Sequence, residues 1–206
     1  MTRTKICGIT RVEDGLSAAR AGADAIGLVF YARSPRNVSP IQACEIVDAL
    51  PPFVSRVALF VNPDVEEVAL VLRQVRPDVL QFHGEESPEF CRSFGLPYLK
   101  AARVRPGVDL LQLAALYAGA QGLLLDAWTD GVHGGSGECF DWALIPPDLR
   151  RPVILAGGLT AANVGQAIRT VRPWAVDVSS GVEVSKGIKD AARIAAFIKE
   201  VRNADE

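Results

Sequence analysis

Two side chains in the sequence have the chemistry to move a proton, and each lies near the end of an apolar segment. Cys7 follows Lys5 by two positions within residues 4–9, and Asp126 ends a run of leucines. Alternate side chains of a strand share one face, so Lys5 and Cys7 are predicted to point the same way. A nearby ammonium group favours the thiolate of a cysteine, which makes Cys7 a candidate base or nucleophile. A buried thiol with a purely structural role is the alternative.

Asp126 is the candidate acid. Partial burial at the end of a strand would raise the pKa of its carboxyl group toward values that suit acid catalysis. Aspartate also favours strand-to-loop junctions, so a capping role fits the local sequence equally well. Together with Cys7 on another strand, Asp126 would supply the minimum needed to move a proton between two atoms of a sugar.

Other residues near predicted strand ends could bind an anionic substrate. Gly157, Gly158 and the run 179–181 (Ser-Ser-Gly) follow two consecutive strands, and glycines let backbone N–H groups approach a phosphate. Arg36, in the loop after the second strand, could hold a carboxylate through two hydrogen bonds or remain a solvated loop side chain. His83 ends the fourth strand and is either catalytic or a hydrogen-bonded residue of the cavity wall.

The elements that must position these residues alternate regularly along the chain. We predict strands over residues 4–9, 25–30, 56–61, 79–83, 98–104, 122–127, 152–156 and 175–179. We predict helices over residues 12–21, 40–50, 65–75, 88–94, 109–118, 161–171 and 189–201, with a turn or short helix at 140–145. Eight such units indicate a (β/α)8 TIM barrel, with residues 1–206 as a single catalytic domain. An open doubly wound sheet is the competing architecture, but no G-x-G-x-x-G follows the first strand.

Composition excludes several classes of protein. The chain has 206 residues, 49% of them hydrophobic and 22% charged, which is typical of a globular protein. A net charge of −2 gives no attraction to nucleic acid. No apolar run reaches the ~20 residues of a membrane span, and no signal peptide is visible, so we expect a cytoplasmic protein. Two histidines and widely spaced cysteines predict no metal site.

A series of short motifs runs through the chain in a fixed order. They are Lys5-Ile6-Cys7-Gly8-Ile9-Thr10, Ser34-Pro35-Arg36, Gln81-Phe82-His83-Gly84, the strand end at Asp126, Gly134-Gly135-Ser136-Gly137 with Phe140-Asp141-Trp142, Gly157-Gly158-Leu159, and Asp177-Val178-Ser179-Ser180-Gly181-Val182-Glu183. The ordered set resembles the phosphoribosylanthranilate isomerase family from the first strand to the last. The resemblance implies an Amadori rearrangement in tryptophan biosynthesis, from N-(5-phosphoribosyl)anthranilate to 1-(o-carboxyphenylamino)-1-deoxyribulose 5-phosphate.

The resemblance also implies roles for individual residues. Asp126 would protonate the furanose ring oxygen as general acid, and Cys7 would remove the C2′ proton as general base. Arg36 would bind the anthranilate carboxylate. The substrate-binding residues are then Lys5, Arg36, His83, Gly157, Gly158, Asp177, Ser179, Ser180 and Gly181. No cofactor or metal is expected, because the nitrogen of the phosphosugar substrate serves as the electron sink. The loop Gly134–Gly137 is either a lid over the site or a plain linker.

Several alternatives remain open from the sequence. Lys100 could form a Schiff base in an aldolase-type barrel, or it could end a strand with its amine in solvent. A phosphosugar-binding barrel without catalysis has the same motifs of binding residues. The histidine-pathway aminoaldose is not expected as a second substrate, because the first half of the chain has only Gly22 and Gly27 and no second phosphate loop. A monomer and a homodimer are both compatible with the sequence.

Overall fold

The computed structural model describes residues 1–127 and 140–205 of the chain. The loop Gly134–Gly137, for which the sequence leaves a lid or a plain linker open, lies outside the described residues. Within the described ranges, no helix is both long enough and apolar enough to cross a membrane.

In the described part of the chain, eight parallel strands close into a barrel in sequence order. The strands are β1 (Arg3–Cys7), β2 (Ala25–Phe30), β3 (Ser55–Phe60), β4 (Val79–Phe82), β5 (Tyr98–Val104), β6 (Gly122–Ala127), β7 (Val153–Leu155) and β8 (Ala175–Val178). The ring closes where β8 pairs with β1, with Asp177 beside Lys5. The predicted (β/α)8 barrel is confirmed.

Helices connect most of the strands on the outside of the barrel. They are α1 (Val12–Ala21), α2 (Pro40–Ala49), α3 (Val65–Gln74), α4 (Pro88–Arg92), α5 (Leu110–Leu116), α6 (Val164–Val171) and α7 (Ala191–Ala204). Side chains of Ser39, Asp64 and Ser87 accept hydrogen bonds from the first turns of α2, α3 and α4, as their residue types predict. Between β6 and β7 the described residues form a 3₁₀ turn at Trp142–Leu144.

The end of the chain differs from the sequence prediction. The chain forms a short antiparallel pair that the sequence did not predict, β9 (Glu183–Ser185) with β10 (Ile188–Lys189), after the 3₁₀ turn Ser180–Val182. Lys189, which was expected to begin the last helix, ends this pair. The helix α7 begins at Ala191, because the Asp190 side chain accepts the free backbone N–H groups of its first turn. Lys189 therefore lies in a strand rather than in a helix.

Strand alternation divides the side chains between two environments. Ile6 of β1 and Phe82 of β4 pack outward into the main core against the helices. Leu124, Ile154 and Ala175 come from consecutive strands and pack together inside the barrel. The interior is thus filled with apolar side chains at this level, and the polar residues collect at the carboxyl ends of the strands.

Candidate active site

A cavity opens at the carboxyl ends of the barrel strands. Nine of the residues predicted for the site line it: Cys7, Arg36, His83, Asp126, Gly157, Gly158, Asp177, Ser179 and Ser180. The other two predicted residues are set back from its surface. Lys5 lies behind Asp177 and donates a hydrogen bond to its carboxylate. Gly181 packs against the Leu159 carbonyl so closely that a Cβ at position 181 would collide with the carbonyl oxygen.

Cys7 and Lys5 share the inner face of β1, as strand alternation predicts. The Lys5 ammonium is buried and lies 2.9 Å from Oδ1 of Asp177. Burial alone would lower the pKa of Lys5, but the charges and hydrogen bonds of Asp177 and Cys7 together outweigh burial and raise it. Lys5 is therefore a firmly protonated cation beside the thiol.

The Cys7 thiol does not have the low pKa that a lysine neighbour suggests. Burial raises the pKa of Cys7, and the opposing charge of Lys5 only partly offsets that effect. A neighbouring ammonium lowers the pKa of a thiol, but removing a thiolate from water raises it, and at Cys7 the second effect is larger. Without substrate, the protonated thiol is favoured at neutral pH.

Gly27 is a site residue that the sequence argument missed. A Cβ at this position of β2 would lie 2.7 Å from the Cys7 sulfur and 3.1 Å from the Lys5 nitrogen. Any larger residue would displace one of these two groups. A glycine inside a strand was the available signal, because such glycines often mark a close approach.

The candidate acid, Asp126, is buried opposite a polar wall. Its Oδ1 accepts a hydrogen bond of 2.9 Å from the N–H of Ala127. Its Oδ2 lies 3.3 Å from Nε2 of His83, while Nδ1 of His83 lies 3.3 Å from the Gln81 amide. The contact between Asp126 Oδ2 and His83 Nε2 does not meet the angular criteria of a hydrogen bond. Nε2 therefore has no hydrogen-bond partner among the described residues. Oε1 of Gln81 also has no hydrogen-bond partner in the part of the chain that the structure describes, so this oxygen and Nε2 of His83 are both placed to form new hydrogen bonds with a ligand.

Arg36 is already paired in the absence of substrate. Its Nε and Nη2 each lie 2.8 Å from one carboxylate oxygen of Glu183. Glu183 also pairs with Lys189 at 2.8 Å, and Lys189 donates to the hydroxyl of Ser179. Burial raises the pKa of Glu183, but its hydrogen bonds to Arg36 and its contact with Lys189 outweigh burial and lower it. Glu183 and Lys189 were not among the predicted site residues, although Glu183 closes the last motif.

The loops after β7 and β8 have the form of an anion cradle. Gly157 and Gly158 have φ angles of +81° and +62°, which side-chain-bearing residues rarely adopt. A Cβ at Gly157 would also lie 2.6 Å from the Ala127 nitrogen and 3.1 Å from Asp126 Oδ1. The glycine thus brings the loop backbone next to the candidate acid, and Ser179 and Ser180 of the neighbouring loop after β8 also line the cavity.

Lys100 lies elsewhere, and the expectation of an amine in solvent is wrong. Its Nζ is buried, 2.7 Å from Glu86 and 2.6 Å from the Gly84 carbonyl oxygen. It also lies 5.2 Å from the centre of the Tyr117 ring. Side chains alternate along β5, and that of Lys100 points toward the helices and away from the cavity. Its amine is occupied by the hydrogen bonds to Glu86 and the Gly84 carbonyl oxygen. An aldolase-type Schiff base at this residue is not supported.

No group of three or more His, Cys, Asp or Glu side chains is placed to hold a metal ion within residues 1–127 and 140–205.

Comparison with known proteins places the chain in a family. The model described as "N-(5'phosphoribosyl)anthranilate (PRA) isomerase" matches residues 4–200. The chain belongs to this family. A relative of that name from Stutzerimonas stutzeri (strain A1501) is 61% identical over 203 residues, which cover 98% of each chain. Another from Pseudomonas fluorescens (strain SBW25) is 59% identical and covers 98% of this chain and 96% of its own.

Solved structures of the family have the same fold. The enzyme from Thermotoga maritima is 44% identical, with a TM-score of 0.91, and covers 98% of this chain and 100% of its own. A phosphoribosyl anthranilate isomerase in complex with reduced 1-(o-carboxyphenylamino)-1-deoxyribulose 5-phosphate is 43% identical, with a TM-score of 0.87 and the same coverage. The predicted family, the isomerase class and the assignment to tryptophan biosynthesis are confirmed.

One relative is described both as a dimer and as monomers generated from it. A structure of monomers generated from the dimeric Thermotoga maritima enzyme is 42% identical to this chain, with a TM-score of 0.87 and coverage of 98% of this chain and 100% of its own. Monomer or homodimer stays a prediction for the present isomerase.

Proposed function

We propose that this isomerase converts N-(5-phosphoribosyl)anthranilate to 1-(o-carboxyphenylamino)-1-deoxyribulose 5-phosphate, with Asp126 as general acid and Cys7 as general base. The observation that carries the proposal is that both side chains, from β6 and β1, line one cavity with an anion cradle beside it. An acid and a base on different strands can act on different atoms of one bound sugar. Residues 1–206 would act as a single catalytic domain.

Ring opening is the first step. The protonated Asp126 carboxyl gives its proton to the furanose ring oxygen, and the bond from that oxygen to C1′ breaks. The lone pair of the anthranilate nitrogen forms the C1′=N bond of a cationic Schiff base. The carboxylate left behind is stabilised by the N–H of Ala127, which donates to its Oδ1.

Proton abstraction is the second step. Cys7 acts in its thiolate form, which is the minority form in the ligand-free protein at neutral pH because burial raises the pKa of the thiol. The thiolate removes the proton from C2′, and the bonding electrons move through C1′ to the Schiff-base nitrogen. The enolamine that forms takes a proton at C1′ and loses the proton of its C2′ hydroxyl, which gives the ketone. The proton gained at C1′ replaces the one taken from C2′, and the proton lost from the hydroxyl balances the one that Asp126 gave to the ring oxygen, so no electrons enter or leave the substrate. The Lys5 ammonium, held by Asp177 at 2.9 Å, stabilises the thiolate that this step requires.

Two groups of cavity residues bind the two anionic groups of the substrate. The substrate phosphate binds at Gly157, Gly158, Ser179 and Ser180, where backbone N–H groups can reach it. The anthranilate carboxylate binds Arg36, whose pair with Glu183 uses Nε and Nη2 and leaves Nη1 outside it. His83 and Gln81 form the wall beside Asp126.

Turnover of substrate made in situ tests the proposal. Anthranilate and phosphoribosyl pyrophosphate are joined by their transferase, and loss of substrate fluorescence is followed after the isomerase is added. Cys7→Ala and Asp126→Asn are each expected to lower kcat by about 10²–10⁴-fold or more. Cys44→Ala is the matched control, because Cys44 lies outside the cavity and donates to the Gln74 carbonyl.

Three outcomes would contradict parts of the proposal. A Cys7→Ala variant near full rate would remove the assignment of the base. A folded wild-type protein without turnover would favour a barrel that only binds phosphosugars. Comparable turnover of the histidine-pathway aminoaldose would overturn the expectation of a single substrate.

A further inference from the structure

A buried ion pair outside the cavity is not used by the mechanism above. Lys100 Nζ lies 2.7 Å from Glu86 Oε2, and the two side chains are only 3% and 2% exposed. Removing two charges from water is costly, so such a pair is weak evidence for stability by itself. The other hydrogen bonds of Glu86 and Lys100 indicate a further role for this pair.

Both groups of the pair hold the backbone of one residue, Gly84. The N–H of Gly84 donates to both carboxylate oxygens of Glu86, at 3.0 Å each. The carbonyl oxygen of Gly84 accepts from the Lys100 ammonium at 2.6 Å. The peptide groups on either side of the Gly84 Cα are therefore each bonded to a charged partner, and charge-assisted hydrogen bonds are the stronger kind.

The Glu86 carboxylate also ties this backbone to the neighbouring loop. Its Oε1 accepts the N–H of Asn62 at 2.8 Å, and the Asn62 side chain accepts the N–H of Glu85 at 2.6 Å. A Cβ at Gly84 would collide with the Asn62 side chain. The loops after β3 and β4 thus form one bonded unit with little room to shift.

His83 immediately precedes Gly84. On its other side, the N–H of His83 donates to the Phe60 carbonyl at 2.9 Å, which continues the ladder between β3 and β4. The backbone of His83 is therefore fixed by the sheet before it and by the ion pair after it. Its ring then faces Asp126 at 3.3 Å and Gln81 at 3.3 Å.

We propose that Glu86 and Lys100 are positioning residues for the isomerisation, because they fix the Gly84 backbone and thereby set the His83 ring against the Asp126 carboxylate. The proposal rests on the proposed function, in which Asp126 is the acid. A small rotation of the Gly84 backbone would change the direction of the Cα–Cβ bond of His83 and so move its ring. Misplacement by about 1 Å far from the reacting atoms can cost 10²-fold in rate.

The double variant Glu86→Gln/Lys100→Met tests the inference without leaving a lone buried charge. We expect kcat to fall by about 10- to 100-fold, with KM within about threefold of wild type because neither residue touches substrate. The ring signals of His83 should shift in ¹⁵N-histidine NMR of the ligand-free protein. The chain has two histidines, so a His133→Asn variant assigns the two signals.

Asp78→Asn is the matched control. Asp78 pairs with Arg56 at 2.5 Å, also joining β3 to β4, but at the amino ends of the strands. This variant should change neither kcat nor the His83 signals. Loss of the same rate in Asp78→Asn would show a general effect of strand stability and overturn the inference.

The other possible outcomes also test the positioning role of Glu86 and Lys100. A folded double variant with kcat within twofold of wild type and unchanged His83 signals overturns the inference. If the double variant does not fold, the isosteric Glu86→Gln is judged by the same two measurements. If wild type shows no turnover, the proposed function fails, and the His83 signals alone support or overturn the positioning role.

Discussion

Arg36 and Glu183 form a two-pronged ion pair at the edge of the cavity, with both N···O distances at 2.8 Å. The pair presets the plane of the guanidinium group before any substrate arrives. Burial alone would lower the pKa of Arg36, but the hydrogen bonds and charge of Glu183 outweigh burial and raise it. Lys189 pairs with the same carboxylate, so Glu183 still has a positively charged partner when Arg36 is replaced.

Replacing Arg36 with lysine should weaken substrate binding more than chemistry. An ammonium cannot keep Glu183 in a two-pronged pair and bind a carboxylate at the same time. Loss of a charged hydrogen bond costs about 1.5–3 kcal/mol, so KM should rise about 10- to 100-fold with a smaller change in kcat. Steady-state kinetics measures both. Arg33→Lys, at an exposed position of the same loop, should match wild type, and a normal KM in Arg36→Lys would exclude the carboxylate contact.

Glu183 should also make the fold sensitive to acid. Its pKa is lowered in the folded chain, so its carboxylate stabilises the fold above its ordinary pKa of about 4.3. This contribution is lost as the pH falls through the lowered value. Urea unfolding near neutral and at acidic pH should therefore show a smaller loss of unfolding free energy in Glu183→Gln than in wild type. Equal losses in the two proteins would show that Glu183 is not a source of the acid sensitivity.

The ionisation of Cys7 should require alkaline pH in the ligand-free protein. Burial raises the pKa of this thiol, Asp177 adds to the rise, and Lys5 and Lys189 oppose it; Arg36 is the other charged group nearby. Thiolate absorbance, taken as wild type minus Cys7→Ala, should therefore grow only above the ordinary pKa of a cysteine. Asp177→Asn removes a like charge and should shift the curve to lower pH. A wild-type curve with its midpoint near neutrality would contradict the burial argument.

The features that could be predicted from the sequence are those set by residues close together in the chain. Strand alternation correctly placed Lys5 and Cys7 on one inner face, and residue type correctly identified helix caps such as Asp64. The sequence did not predict the pair of Glu183 with Lys189, because strands of two or three residues are too short for a periodic signal. Nor did it predict the burial of Lys100 in β5, whose partner Glu86 lies 14 residues away in the loop after β4. Contacts of that kind depend on how the closed barrel brings the loops together.

Gly27→Ala should reduce catalysis by displacing the base. The new Cβ would lie 2.7 Å from the Cys7 sulfur and 3.1 Å from the Lys5 nitrogen, so at least one group must move. Overpacking of this kind costs typically about 1–3 kcal/mol of stability, and a displaced base should lower kcat by about 10²-fold. Steady-state kinetics and thermal unfolding measure the two effects.

Gly165→Ala is the matched control for that change. Gly165 lies in α6, and a Cβ there would meet only the flexible end of Arg169, at 3.4 Å. Alanine is favoured over glycine in a helix by about 0.5–1 kcal/mol, so this variant should keep full activity and be slightly more stable. If Gly27→Ala also keeps full activity, the sulfur has room to move while still reaching C2′. The close packing of β2 against Cys7 would then have no role in placing the base.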